Sequence, residues 1–209
     1  DYLSKNNFPG VILGLSGGID SAFCAAVAVD ALGKDKVEAY MLPSAYTSEN
    51  STIDAEDCAN RLEINLETIS ISDTFLSLEE SLKASFEGLP NDITEENLQS
   101  RIRGTILMAI SNKKGKMLIT TGNKSEVSVG YSTLYGDMNG GFNPIKDIYK
   151  TELYALANWR NNNLPNNILL DKKDVIPSSI ISKEPTAELR DNQKDSDSLP
   201  PYDELDQIL

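Results

Sequence analysis

The stretch LSGGIDS, Leu15 to Ser21, places two hydroxyls, two glycines and a carboxylate between the apolar run 10–15 and the alanine-rich run 20–32. These residue types suit anion binding. Gly17 and Gly18 permit positive φ and let the backbone approach a ligand closely. The first-turn N–H groups of a helix lack internal partners and, with the helix dipole, form an anion site. Ser16 and Ser21 add hydroxyl donors. Asp20 would repel a phosphate, but a Mg²⁺ ion between its carboxylate and the phosphate oxygens removes that objection. The plain alternative is a tight turn with Ser16 or Asp20 as N-cap. A Walker A loop is excluded because no Gly-Lys-Ser/Thr follows. A dinucleotide fingerprint is excluded because the third glycine is absent.

The elements that must hold this turn alternate in kind. Apolar or alternating runs at 10–15, 37–42, 64–71 and 116–122 read as strands. Between and after them, 20–32, 48–62, 73–88, 94–115 and 147–163 have helical composition. Asp73 and Thr94 stand as N-caps, and Gly33, Gly88 and Gly115 as stops. Strands separated by helices imply an α/β fold, a Rossmann-like parallel sheet with helices on both faces. Ligands of such sheets bind beyond the carboxyl ends of the strands. There the sequence places SGGIDS, SAYTSEN and TGNKSE, after the first, second and fourth strands.

Bulk properties narrow the function. The chain of 209 residues suits one substantial domain, expected over 1–190. The acidic, proline-containing stretch 191–209 is expected as an irregular extension. A net charge of −13 argues against nucleic-acid binding. No apolar run approaches the roughly 20 residues of a membrane span. The first ten residues lack the pattern of a signal peptide, so a cytoplasmic location is expected. The absence of histidine excludes histidine triads and histidine metal sites from these residues. Cys24 and Cys58 fall on apolar helix faces and read as buried, inert thiols.

SGGIDS resembles the pyrophosphate-binding loop of the ATP pyrophosphatase superfamily, whose members cleave ATP between the α- and β-phosphates. Three further stretches narrow the resemblance: TTGNKSE (120–126), YSTLYGDMNGGFNPIKDIYKTELYALANWRN (131–161) and IPSSIISKEPTAEL (176–189). Together they are similar to the synthetase domain of glutamine-dependent NAD⁺ synthetases. That resemblance implies a C–N ligase that amidates nicotinic acid adenine dinucleotide through an acyl-adenylate. ATP is the co-substrate and Mg²⁺ the metal, and no protein nucleophile is needed. It assigns Gly14, Leu15, Ser16, Gly17, Gly18, Ile19, Asp20, Ser21, Thr121, Lys150 and Thr186 to ATP. It assigns Arg101, Glu126 and Asp137 to the dinucleotide, and Asp20 and Glu126 to the metal.

Each assignment has a plainer reading. Glu126 also reads as a first-turn helix acid, Thr121 as an ordinary β-former and Thr186 as a cap. Lys150 and Arg101 also read as solvated helix charges. Arg101 and Arg103 are two apart on one helix, so at most one faces the site. Gly136, Asp137, Gly140 and Gly141 read as a loop closing over a substrate, in which Asp137 binds a ribose hydroxyl or orients a cation. Tyr131, Tyr135, Phe142 and Trp159 read as ring-stacking or core residues.

The resemblance further implies an N-terminal amidase domain that supplies glutamine-derived ammonia, and a homo-oligomer. It also carries departures. Leu134 stands where the ammonia-dependent enzymes have a dinucleotide-contacting lysine. The histidine–lysine pair near their C-terminus is missing, and 191–209 is expected to be cut short relative to the family. The rival readings are another ATP pyrophosphatase, such as a GMP synthetase, and a nucleotide-binding fragment without turnover.

Overall fold

The computed structural model describes residues 2–209. Four strands, β1 (Val11–Gly14), β2 (Val37–Met41), β3 (Asn65–Thr68) and β4 (Met117–Leu118), form one sheet in the order β3-β2-β1-β4. Every pairing is parallel, with Val11 opposite both Val37 and Met117. The side-chain period of two divides the strands between two apolar layers. Val11, Leu13, Val37, Ala39, Met41 and Met117 join the larger core, while Ile12, Tyr40 and Leu118 face the opposite side.

Helices cover both faces, as the alternation of strands and helices implies. The first face carries α2 (Ile19–Leu32), α3 (Glu49–Leu62), α7 (Lys150–Asn162) and α8 (Ser178–Ser182). Their buried alanines, leucines and isoleucines pack on Val11 and Leu13. The second face carries α5 (Ile93–Lys114), with α4 (Ser72–Leu82) beside it. Leu107, Met108 and Ile110 of α5 pack on Ile12 and Leu118. The short helices α1 (Tyr2–Lys5), α6 (Lys124–Val129) and α9 (Tyr202–Ile208) complete the set. Both cysteines are buried, and burial pushes the Cys58 thiol up to about 12 and raises that of Cys24. No helix among the described residues is long and apolar enough to cross a membrane.

The structure moves several element boundaries. Helix α4 begins at Ser72, so Asp73 lies in its first turn instead of capping it, and the helix stops at Leu82, before Gly88. It buries no residue fully, so no packing sustains a further turn. Helix α5 is capped by Asp92, not Thr94: Asp92 accepts from the Thr94 N–H at 2.7 Å, and Glu95 accepts from the Asp92 N–H at 2.8 Å. Gly115 ends it with φ +65°, as expected. Strand β4 has two residues because the chain then changes partner, Thr120 N–H donating to Phe142 O at 2.9 Å. Helix α7 starts at Lys150, after a turn in which Ile148 N–H donates to Ile145 O. Beyond α7 the chain forms α8, and the stretch 191–209, expected to be irregular, holds a 3-10 turn at Asp195–Asp197 and α9, whose Leu205 is buried.

One buried ion pair ties α7 to α2. Arg160 donates bidentately to Asp30, at 2.6 and 2.8 Å, and its Nη1 donates to Lys172 O at 2.9 Å. Arg160 is 3% exposed. Asp30→Ala strands the guanidinium and is expected to lower stability by ~3–5 kcal/mol in urea unfolding. A second expectation concerns acid. Burial pushes the Glu38 carboxyl up, but hydrogen bonds from Lys114, Lys116 and Tyr40 outweigh it and hold the group at about 2. A carboxyl held below its unfolded value of 4.5 contributes stability above that pH and loses it as pH falls toward 2. Glu38→Gln is therefore expected to flatten the loss of Tm between pH 4.5 and about 2, measured by circular dichroism.

Candidate active site

The turn after β1 is closed by its own hydroxyls. Ser16 N–H donates to Ser21 Oγ at 3.2 Å, Gly18 N–H to Ser16 Oγ at 3.3 Å, and Ser21 Oγ to Gly18 O at 3.0 Å. Gly17 takes φ +80°, and a Cβ there would lie 2.2 Å from Ser51 O in the first turn of α3. Gly18 has φ −96°, so only one of the two glycines uses the left-handed region. Gly18 is the N-cap of α2 and supplies no side-chain cap bond. Neither Ser16 nor Asp20 caps the helix, an arrangement that suits an anion at this end of α2.

Three charged groups from separate elements meet beside this turn. Asp20 lies in the first turn of α2, Glu126 in the first turn of α6, and Lys150 opens α7. The Lys150 ammonium, 3% exposed, donates to Asp20 Oδ2 at 2.6 Å and Glu126 Oε1 at 2.9 Å. Burial pulls the lysine toward neutrality, but the two carboxylates outweigh it and hold it charged. Burial and the Asp20 charge push the Glu126 carboxyl up, against the pull of Lys150. Asn123, fully buried, links the elements: its Nδ2 donates to Asp20 at 2.6 Å, and its Oδ1 accepts from Glu126 N–H at 3.0 Å.

Asp20, Glu126 and Lys150 line a cavity of about 580 Å³ at the carboxyl ends of the strands, a size common for small-molecule sites (roughly 300–1,000 Å³). Gly14, Leu15, Ser16, Gly18, Ile19, Ser21, Thr121 and Thr186 line it too, so nearly all the residues assigned to ATP come together. The Thr186 hydroxyl donates to Gln193 O at 2.6 Å and shapes its own loop. Tyr40, Met41, Leu42 and Leu107 add an apolar wall.

The residues assigned to the dinucleotide divide. Arg101 is not in the cavity lining; its Nε donates to Leu134 O at 3.2 Å. Arg103 lines the cavity instead, its Nε donating to Leu42 O at 2.8 Å. Burial pulls its guanidinium down to about 10, opposed by the nearby Glu188 charge. Asp137 lines the cavity, with its carboxylate accepting from Thr133 N–H at 3.0 Å and Ser100 Oγ at 3.4 Å. Burial raises its pKa. The glycines around it pack on the chain itself: a Cβ on Gly136 would lie 2.3 Å from Ser100 Oγ, and one on Gly140, 2.2 Å from Thr120 Oγ1. Tyr131 lines the cavity, whereas Tyr135 and Trp159 are exposed.

Several participants were not singled out from the sequence. Asn123 had a signal, the Asn-x-x-Glu spacing of a helix cap. Arg103 had one as well, being the second of two arginines on different helix faces. Lys183 touches Ser51 Oγ and lies 3.9 Å from Asp54 and 3.7 Å from Glu188. No local pattern announces it.

The donor set fits a hard divalent cation bound together with phosphate. Two carboxylates already converge on one cationic centre, the Lys150 ammonium. No cluster of three or more acidic, cysteine or histidine ligands exists among the described residues. Magnesium is commonly held by one or two carboxylates with phosphate oxygens and water completing its shell.

The family model described as NAD synthase matches residues 1–209. A glutamine-dependent NAD⁺ synthetase from Rhodobacter capsulatus is 55% identical over the whole chain, which spans 38% of that relative. Among solved structures, a glutamine-dependent NAD⁺ synthetase from Acinetobacter baumannii in complex with ADP aligns with TM-score 0.82 and 47% identity, over all of this chain and 36% of that one. An NMN synthetase from Francisella tularensis aligns with TM-score 0.81 and 28% identity, over 98% of this chain and 78% of that one. The chain thus spans little more than a third of the length of the curated relatives it matches.

The two glycines of the turn make a matched test. Gly17→Ala forces a Cβ onto Ser51 O at positive φ, and should lose ~2 kcal/mol or more. Gly18→Ala meets nothing closer than Ser16 Oγ at 3.4 Å, and should lose under ~1 kcal/mol. Urea unfolding of both variants measures the difference.

Proposed function

Because the chain belongs to the NAD synthase family, we propose that it carries the ligase activity of a glutamine-dependent NAD⁺ synthetase. Ammonia is joined to the nicotinate carboxylate of nicotinic acid adenine dinucleotide, and ATP is cleaved to AMP and pyrophosphate. The observation that carries this reading is the meeting of Asp20, Glu126 and Lys150 beside the self-bonded turn 16–21. The nicotinate carboxylate attacks the α-phosphorus, and the bond to the bridging oxygen breaks. Ammonia then attacks the acyl carbon, AMP leaves, and the surplus proton passes to solvent.

In this reading the protein works by alignment and charge. The open first turn of α2 and the Ser16 and Ser21 hydroxyls receive the departing pyrophosphate, on which negative charge grows. Lys150 supplies the buried positive charge opposite it. Asp20 and Glu126 would hold Mg²⁺, which when bound neutralises phosphate oxygens. Thr121 and Thr186 flank the nucleotide, and Met41, Leu42 and Leu107 face its base. Arg103 joins the residues assigned to ligand, since a desolvated guanidinium lining the cavity is a receptor for an anionic group. Arg101 and Asp137 are proposed for the dinucleotide, Arg101 from the open side of the 131–144 loop.

The remaining length of the relatives is read as holding the amidase domain that releases ammonia from glutamine. A homo-oligomer in the cytoplasm is proposed, without nucleic acid or membrane as partner. The test is AMP and pyrophosphate formation by the chain with ATP, Mg²⁺, ammonium and nicotinic acid adenine dinucleotide. Turnover is expected only with all four, and glutamine is not expected to replace ammonium. Release with xanthosine monophosphate instead would select the GMP synthetase reading, and release with the nicotinate mononucleotide a mononucleotide synthetase. Asp20→Asn is expected to lower kcat by about 10²-fold or more, with the urea midpoint near that of the parent.

A further inference from the structure

We infer that Asp206, on the C-terminal helix α9, is a positioning residue that sets Glu126 and Lys150 by clamping the start of α6 to the start of α7. The inference rests on the reading of those two groups as ligand-binding. Asp206 touches neither of them. It touches the neighbour of each. Ser125, fully buried and next to Glu126, donates from Oγ to Asp206 Oδ1 at 2.5 Å. Thr151, next to Lys150, donates to Asp206 Oδ2 from its N–H at 2.9 Å and its hydroxyl at 2.8 Å. The ring is closed by Lys150 N–H, which donates to Ser125 Oγ at 2.9 Å.

This arrangement adds to a local cap, in which Glu152 accepts from Tyr149 N–H at 3.0 Å. Tyr149, the N-cap of α7, supplies no side-chain cap bond. The first-turn N–H groups of a helix need an acceptor and favour a negative charge. Asp206 provides both from 55 residues away. The same helix makes a second contact: Tyr202 OH donates to Asp195 Oδ2 at 2.8 Å and lies 3.2 Å from Glu126 Oε1. The Lys150 ammonium lies 5.3 Å from the Tyr202 ring centre. Buried Leu205 seats the helix between these two polar residues. Lys150 and Glu126 stand on short or starting turns, held by their own ion pair, by Lys124 N–H donating to Ile148 O at 2.9 Å and by Lys150 N–H on Ser125, and Asp206 is the group that fixes Ser125 and Thr151 together. A displacement of about 1 Å in such groups costs ~10²-fold in rate.

The experiment follows the Lys150 ammonium in the full 209-residue chain by ¹H–¹⁵N NMR, with assignment by Lys150→Met, and measures turnover alongside. In the parent the ammonium is locked between two carboxylates and should give a slowly exchanging signal. In Asp206→Ala that signal should be lost to exchange, and kcat should fall ~10–100-fold while KM for the dinucleotide stays within about twofold. Asp206→Asn keeps an acceptor for Ser125 but turns an amide toward Thr151, and should fall between. If Asp206→Ala does not fold, Thr151→Val cuts the hydroxyl contact alone and should broaden the same signal. An unchanged ammonium signal in a folded variant, or a kcat equal to the parent's, overturns the inference. A parent without turnover counts against the proposed function instead, and the ammonium signal then decides the clamp by itself.

Discussion

The buried ammonium of Lys150 is the constraint around which this molecule is organised. An ammonium in a nearly dry site costs several kcal/mol unless anions and hydrogen bonds surround it. Asp20 and Glu126 supply the anions. They come from the first turn of α2 and the first turn of α6, while Lys150 itself opens α7. Three helices therefore begin at one place. Their positive ends add to the ammonium and are partly offset by the two acids, which leaves a site suited to a polyanion that brings its own metal.

The rest of the chain serves that meeting point. The parallel sheet, apolar on both faces, directs the carboxyl ends of its strands to one edge of the molecule. Helix α3 backs the 16–21 turn so closely that Gly17 has no room for a side chain. Asn123 caps α6 and holds Asp20 with the same amide group. A chain of net charge −13 thus keeps a buried cation in its cleft, because the Lys150 ammonium is held there by paired carboxylates. Global charge speaks against nucleic acid as a partner, but says nothing about a pocket whose ions are paired inside it.

Most of the assigned ligand residues could be found in the sequence because each belongs to a local pattern. Asp20 and Ser21 follow the glycines of a strand-to-helix turn, and Glu126 stands in the first turn after a capping asparagine. Arg101 against Arg103 shows the limit. Alternation on a helix says that two residues part company, but which one enters the cavity depends on how α5 lies over β1 and β4. Similarly, the glycines of 136–141 read as a loop closing over a substrate; they line the cavity, and Gly136 and Gly140 also lie against Ser100 and Thr120 of the chain itself. A glycine reports close approach, not what approaches.

The sequence by itself determined the alternation of strands and helices, the glycine turn at 16–21 and the chemistry of the residues beyond each strand. These rest on neighbours a few positions apart, where hydrophobic period and capping chemistry decide. Only the tertiary structure decided that Lys150 lies between Asp20 and Glu126, that Arg103 faces the cavity, and that 191–209 folds back through Tyr202 and Asp206 onto the site. Those contacts join residues up to 130 positions apart. They exist because buried charges and unpaired helix ends must find partners wherever the packed core brings them within reach.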